Sequence, residues 1–236
     1  MINNYNNSRN YPINLEESED YIENNKEQNI TTGKFISFEG GEGCGKSTQS
    51  KMLYDALTAK NIDVLLTREV GGTKEAEKIR DILLYSDLLG MSEVMLVMAA
   101  RFEHLNRLII PALKSGVWVI CDRFVDSTAA YQGKNSDIGI DKIYELHNEF
   151  IGAIMPDMTF FIDLTPAAAL ERAKNRGSNN KFEDKDLAFH DSVYEGFSQI
   201  SKKFKNRIVR VEAQDLSKDE IHANIMKELR VLDENI

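Results

Sequence analysis

Residues 35–47 constrain this chain more than any other stretch. The run Phe35-Ile36-Ser37-Phe38 reads as a short, mostly apolar strand that ends near Gly40-Gly41. The octad Gly40-Gly41-Glu42-Gly43-Cys44-Gly45-Lys46-Ser47 follows, with the spacing G-x-x-x-x-G-K-[ST]. Beyond it, a helix over 45–60 places Met52, Leu53, Ala56 and Leu57 on one face. A strand, a glycine loop and a helix in that order form an anion cradle. Glycines let backbone N–H groups converge on phosphate oxygens with no Cβ in the way. The helix N-terminus adds partial positive charge. Lys46 is placed to reach the outer phosphates, and Ser47 to offer a hydroxyl to Mg²⁺. The bland alternative is a glycine-rich turn with an exposed lysine, and the strand-to-helix context weighs against it.

The same alternation continues down the chain. The sequence predicts further strands at 63–67, 117–121, 159–164 and 208–211. It predicts helices at 73–85, 92–114 (bent near Pro111), 141–154, 166–176, 184–205 and 218–232. Strands alternating with helices imply a parallel sheet covered on both faces, an α/β class. Val117-Trp118-Val119-Ile120 is continuously apolar, as a strand buried on both faces should be. Ligands in such folds lie beyond the carboxyl ends of the strands.

Residues 1–33 depart from this pattern, with nine Asn, six acidic and two basic residues. That composition buries too little apolar surface to offset ordering entropy, so a flexible extension is expected. Residues 34–236 are then one domain. The formal charge of −9 disfavours duplex nucleic-acid binding, which needs a cationic surplus. The two cysteines, Cys44 and Cys121, form no metal or redox spacing. No run is apolar enough for a membrane span and no secretory or transit leader is evident, so a cytoplasmic protein is expected. Cys44, beside Lys46 at a helix start, reads first as a small residue fitting a tight loop; the alternative is a thiol that alkylating reagents would reach and ATP would protect.

A phosphate loop alone does not separate kinases from GTPases or motor ATPases. No Asn-Lys-x-Asp element occurs, which lowers the GTPase reading. A kinase needs a second anion site, and arginines suit it. Three segments end predicted strands and carry a specific resemblance. Thr67-Arg68-Glu69-Val70-Gly71-Gly72-Thr73 is similar to a TREPGGT element. The run from Asp122-Arg123-Phe124 to Ala130-Tyr131-Gln132-Gly133 is similar to DR[YF]xxSxxAYQG, and Pro156-Asp157-Met158-Thr159 to PDLT. Together they resemble the thymidylate kinases, from about residue 34 to the C-terminus.

The resemblance implies a three-layer P-loop NTPase fold with five parallel strands in the order 2-3-1-4-5. It implies transfer of a phosphoryl group from ATP to dTMP, with Mg²⁺ held by Ser47 and Asp122. Gly40 to Ser47 and Thr48 would hold the ATP phosphates, and Arg176 would lie near adenine. Arg68 and Arg123 would grip the dTMP phosphate. Glu42 would approach the 3′-hydroxyl or the arginines. Arg80, Val97, Arg101, Thr128, Tyr131 and Gln132 would surround the base and sugar. Lys46, Arg123, Arg172 and Lys181 would carry the catalytic charge, the last two from a lid at about 171–184 that is of the bacterial type. A homodimer through the apolar segment around 94–100 is implied too.

Two positions depart from the family. Val97 stands where relatives carry a Phe that stacks on thymine, and Phe102 is an aromatic five residues away. Val70 stands in place of Pro; a cis bond before Val costs about 3 kcal/mol, so a trans bond is expected. The alternative reading is another small P-loop kinase acting on a different nucleotide, nucleoside or metabolite. A P-loop regulator or motor ATPase would leave the DR…AYQG segment unexplained.

Overall fold

The computed structural model describes residues 33–174 and 181–233. Most of the 1–33 extension, Arg176 and the centre of the 171–184 segment lie outside them. Five strands form one sheet: β1 (Phe35–Glu39), β2 (Val64–Arg68), β3 (Trp118–Asp122), β4 (Met158–Asp163) and β5 (Ile208–Glu212). All pairings are parallel, in the order β2-β3-β1-β4-β5. β3 bridges two neighbours, with Asp122 paired to both Phe38 and Arg68. That register levels the carboxyl ends of β1, β2 and β3, so the motifs that follow them emerge side by side.

Alternate strand residues feed two cores. Phe35, Val119, Cys121 and Phe161 face one layer; Ile36, Phe38, Ile120 and Phe160 face the other. α1 (Lys46–Ala59) and α9 (Lys218–Leu229) cover the second face, through Leu53, Leu57, Ile221 and Ile225. α2 (Lys74–Tyr85) packs on α3 (Gly90–His104). α3, α4 (Ile110–Lys114), α6 (Ile140–Phe150) and α8 (Leu187–Lys203) contribute to the first face. α7 (Pro166–Lys174) follows β4 and leads to the undescribed segment.

Several boundaries moved from their predicted places for local reasons. The predicted helix at 92–114 is three pieces, because a π turn over Leu105–Ile109 joins α3 to α4. Pro111 lies just past that turn and has no N–H to continue a regular ladder. The 141–154 helix stops at Phe150, where Gly152 turns with φ 97. The 184–205 helix starts at Leu187, since the Asp186 carboxylate accepts from Phe189 N–H at 2.9 Å. One helix escaped the pattern altogether. α5 (Val125–Thr128) runs into a second π turn, Ala129–Gly133, and every residue of both is buried. Burial on all sides removes the one-sided periodicity that marks a helix in sequence.

A buried polar cluster fastens α5 to the sheet. Arg207 donates through both terminal nitrogens to Asp126, at 2.7 and 2.8 Å, and also to Thr159. Tyr144 donates to the same carboxylate. Glu39 accepts from Phe124 N–H and from the Ser127 hydroxyl. Burial, and then the Asp126 charge, push the Glu39 carboxyl up to about 7.

Arg207→Leu leaves Asp126 buried without its cation and should destabilise the fold by about 3–5 kcal/mol in urea unfolding. Glu39 holds its proton more tightly folded than unfolded. Its contribution is therefore full below about pH 4.5 and lost as pH rises through about 7. Glu39→Gln should flatten the fall in urea midpoint across that window.

Candidate active site

The glycine loop leaves β1 through Gly40, whose φ is 140. A Cβ there would stand 2.8 Å from both Ile162 O and Cys44 Sγ, so only glycine fits. Gly45 enters α1 in the left-handed region, φ 103. Lys46 is buried and donates to Gly41 O at 2.6 Å, folding its ammonium back over the loop. Cys44 Sγ lies 3.6 Å from that ammonium. Both cysteines are free and buried, so the alternative reading of Cys44 as a reagent-accessible thiol meets a closed surface. Ser47 donates its hydroxyl to Asp122 at the end of β3. The other oxygen of Asp122, Oδ1, is buried with no hydrogen-bond partner.

Arg123 follows β3 in the left-handed region, φ 73. A side chain there costs about 1–2 kcal/mol of backbone energy. Its contacts fix it. The Arg123 N–H donates to Phe38 O at 2.9 Å. The guanidinium reaches Gly40 O and Ser127 Oγ, both at 3.0 Å, and Glu42 at 2.7 Å. Tyr131 O–H donates to Glu42 at 3.0 Å. Burial opposes ionisation of Glu42, but the Arg123 and Lys46 cations outweigh it and hold the carboxyl down at about 2.

Arg68, at the end of β2, donates to Glu77 through Nη2 at 2.8 Å. Arg80, one turn further along α2, donates to Val70 O at 2.8 Å. Burial, and then the Arg68 charge, lower its affinity for its proton. A hollow of about 150 Å³ brings Lys46, Ser47, Arg68, Arg80, Asp122 and Arg123 to one wall. Three arginines and a lysine share that space with Glu42, Glu69 and Asp122, and their convergent N–H donors suit an anion such as a phosphate.

A second cavity, about 200 Å³, adjoins the first and shares Glu42, Glu69, Arg80 and Arg123 with it. The predicted Val97, Arg101, Thr128, Tyr131 and Gln132 all line it. Arg101 is 1% exposed. It donates to Glu69 at 2.7 Å and to Thr128 Oγ1 at 2.8 Å, while Nη1 is buried and unpartnered. His104 lies behind, between Glu69 and Thr67. Gly72 makes room for it: a Cβ there would stand 2.3 Å from His104 Nε2.

The Glu69–Val70 peptide bond is cis, which corrects the trans expectation. The flanking groups hold that shape. Glu69 N–H donates to Asp122 O, its carboxylate binds Arg101 and His104, and Arg80 holds Val70 O. Their contacts outweigh the local preference that sequence alone expresses.

The remaining predicted cations lie apart from this wall. Arg172 is exposed and borders a third hollow of about 220 Å³, with Gly43, Thr48, Leu216 and Ile221. Lys181 donates to Glu93 at 2.5 Å and to Ser86 O at 3.2 Å, beside the second cavity. Arg176 lies outside the described residues. Phe102 faces a separate apolar groove and takes no part in the second cavity. Sequence reading missed Glu69, Val70, Phe124 and Ser127, which lie inside the quoted motifs, and Leu83, Leu84, Phe182 and Glu183, which do not, as lining residues. Glu69 could have been found, since it lies inside the quoted Thr67–Thr73 element.

The site offers one cationic hollow at the phosphate loop and a lined cavity that adjoins it. Comparison with known proteins agrees with that geometry. The thymidylate kinase family model matches residues 38–225. A thymidylate kinase of Rickettsia bellii is 52% identical over 203 residues, covering 86% of this chain and 98% of its own. One from Rickettsia conorii is 51% identical over 201 residues, 85% and 99% of the two chains. A crystal structure of thymidylate kinase from Ehrlichia chaffeensis superposes with a TM-score of 0.69 at 35% identity, covering 84% of this chain and 98% of that one. On its motifs, its sheet order and these relatives, the chain belongs to the thymidylate kinase family.

Proposed function

We propose that the protein phosphorylates dTMP to dTDP with ATP, using the two adjoining cavities at the carboxyl ends of β1, β2 and β3. One observation carries the reading: the two cavities meet at Arg80, Arg123, Glu42 and Glu69, and only the first includes the loop residues Lys46, Ser47 and Thr48. A donor phosphate chain on the Lys46 loop would meet an acceptor phosphate between Arg68, Arg80 and Arg123. The base and sugar of the acceptor then occupy the second cavity. There the free Nη1 of Arg101 is a donor suited to a base carbonyl. Tyr131 packs under the sugar, with its hydroxyl tied to Glu42. Thr128 and Gln132 take the base edge.

An acceptor phosphate oxygen attacks the γ-phosphorus, and the bond to the β–γ bridging oxygen breaks, releasing ADP. The acceptor is already anionic, so the protein needs no general base. It supplies alignment and positive charge. Lys46 and Arg123 flank the transferred group. The hollow bounded by Thr48, Arg172, Leu216 and Ile221 is where we place adenine, with Arg172 on the donor side. Lys181, held by Glu93, is assigned to the acceptor side.

We assign Mg²⁺ to Ser47 and Asp122. A hydroxyl and a carboxylate with an unpartnered Oδ1 are the hard oxygen donors that Mg²⁺ prefers. Bound there, the ion supplies charge neutralisation on the donor phosphates.

We also propose a homodimer through α3. Met91 and Met95 are 42% and 65% exposed, and Phe150 of α6 is 58% exposed. They border an apolar groove with Met98 and Phe102. An apolar stripe of that kind is costly in water and suits a second copy. No helix among the described residues is long and apolar enough to cross a membrane.

An ADP-release assay with Mg-ATP should show strong preference for dTMP over dUMP, dCMP, dGMP and AMP. Equal rates with no acceptor would sink the kinase reading. Light scattering should give twice the chain mass at micromolar concentration, and Met95→Glu should shift it to the monomer mass. A native monomer would exclude the dimer.

A further inference from the structure

Val97 gives the base cavity no aromatic surface from α3. Val97 is 2% exposed and lines the cavity with an aliphatic surface only. Phe102 faces the apolar groove instead. Yet the cavity has an aromatic that no motif pointed to. Phe182, just before α8, lines it together with Val97, Arg101 and Tyr131. Its ring meets the Tyr131 ring edge to face, with centroids 5.7 Å apart and planes at 88°. It packs against the core cluster beneath β1 and β3.

The approach to Phe182 is fixed from two sides. Lys181 is bound by Glu93 at 2.5 Å, with side chains 22% and 14% exposed. Its ammonium lies 5.2 Å from the Phe182 ring centre, a cation–π distance. The same Glu93 accepts from Gln132 Nε2 at 3.1 Å, and Gln132 lines the cavity. One carboxylate on α3 thus holds both the amide edge of the cavity and the residue that carries the ring. On the other side, the Tyr131 hydroxyl is held by Glu42 and Arg123. A ring fixed in this way can present its edge or face to a planar ligand with little further loss of rotamer freedom.

We infer that Phe182 supplies an aromatic wall of the nucleobase cavity in this protein, beside the aliphatic Val97, and so sets much of the affinity for a pyrimidine monophosphate. Stacking on a base is tolerant of which element carries the ring, because every base has a π-face. The Lys181–Glu93 pair is the positioning device. The inference rests on the dTMP kinase reading above.

The test is steady-state kinetics on the full chain, with dTMP and ATP varied separately. Phe182→Ala and Phe182→Leu should each raise the KM for dTMP about tenfold, the order expected for one lost base–aromatic contact. The KM for ATP should stay within about twofold. Phe182→Tyr, which keeps the ring, should keep the dTMP KM near that of the unchanged protein. Phe182→Leu retains apolar bulk, so it remains informative if the alanine variant folds poorly. An unchanged dTMP KM in the leucine variant overturns the inference, as does an equal rise in both KM values. If the unchanged protein does not use dTMP at all, the functional reading fails instead, and the two failures are told apart by that control.

Discussion

The contact between Arg123 and Glu42 ties the site together. Arg123 belongs to the chain leaving β3, and Glu42 to the glycine loop leaving β1. Their pair, 2.7 Å long and about four-fifths buried on each side, joins two segments that only the parallel sheet brings together. Removing either partner would leave a charge stranded away from water, which is costly. The same guanidinium reaches the Gly40 carbonyl and the Ser127 hydroxyl, so it sets the loop and α5 at once. The left-handed backbone at Arg123 is the conformation that aims the side chain back across the sheet end. Its energetic penalty is small beside the contacts that hold it.

An acidic chain must gather its few cations to bind anions. It does so by giving three of these arginines a carboxylate that fixes each without filling its whole donor set, while Arg80 is held by the Val70 carbonyl. Arg68 has Glu77, Arg101 has Glu69 and Arg123 has Glu42. A guanidinium has five N–H donors in a fixed fork, so one carboxylate partner leaves others for a ligand. Arg101 displays this most plainly, with Nη1 buried and unpartnered. The carboxylates also lower the repulsion among Arg68, Arg80 and Arg123 before any phosphate arrives.

Glu69 and His104 show how deep the support runs. Glu69 stands between Arg101 and His104, and His104 reaches Thr67 on β2. All of these groups are buried. The cis bond that follows Glu69 lies inside this cluster. Local preference favoured trans at Val70, and the tertiary contacts of its neighbours prevailed. A single residue name could not carry that information, because its partners come from β2, α3 and the end of β3.

The sequence by itself determined the alternating strands and helices, the phosphate loop, the sheet's parallel character and most of the residues that line the site. The strands, helices and phosphate loop were legible because they are local, as glycine spacing, apolar runs and a motif that follows a strand; the residues of the base and sugar pocket came instead from the resemblance of the Thr67–Thr73 and Asp122–Gly133 segments to a known family. Helix limits were legible only where periodicity was one-sided, so the wholly buried α5 and its π turn went unread. Tertiary structure decided which motif residues meet. It placed Arg172 beside one hollow and Lys181 on Glu93, although both belong to one predicted lid. It put Phe182 into the cavity that Val97 lines and turned Phe102 away from it. Whether a side chain meets a site depends on the helix face that carries it and on distant neighbours, and those are fixed only when the layers pack.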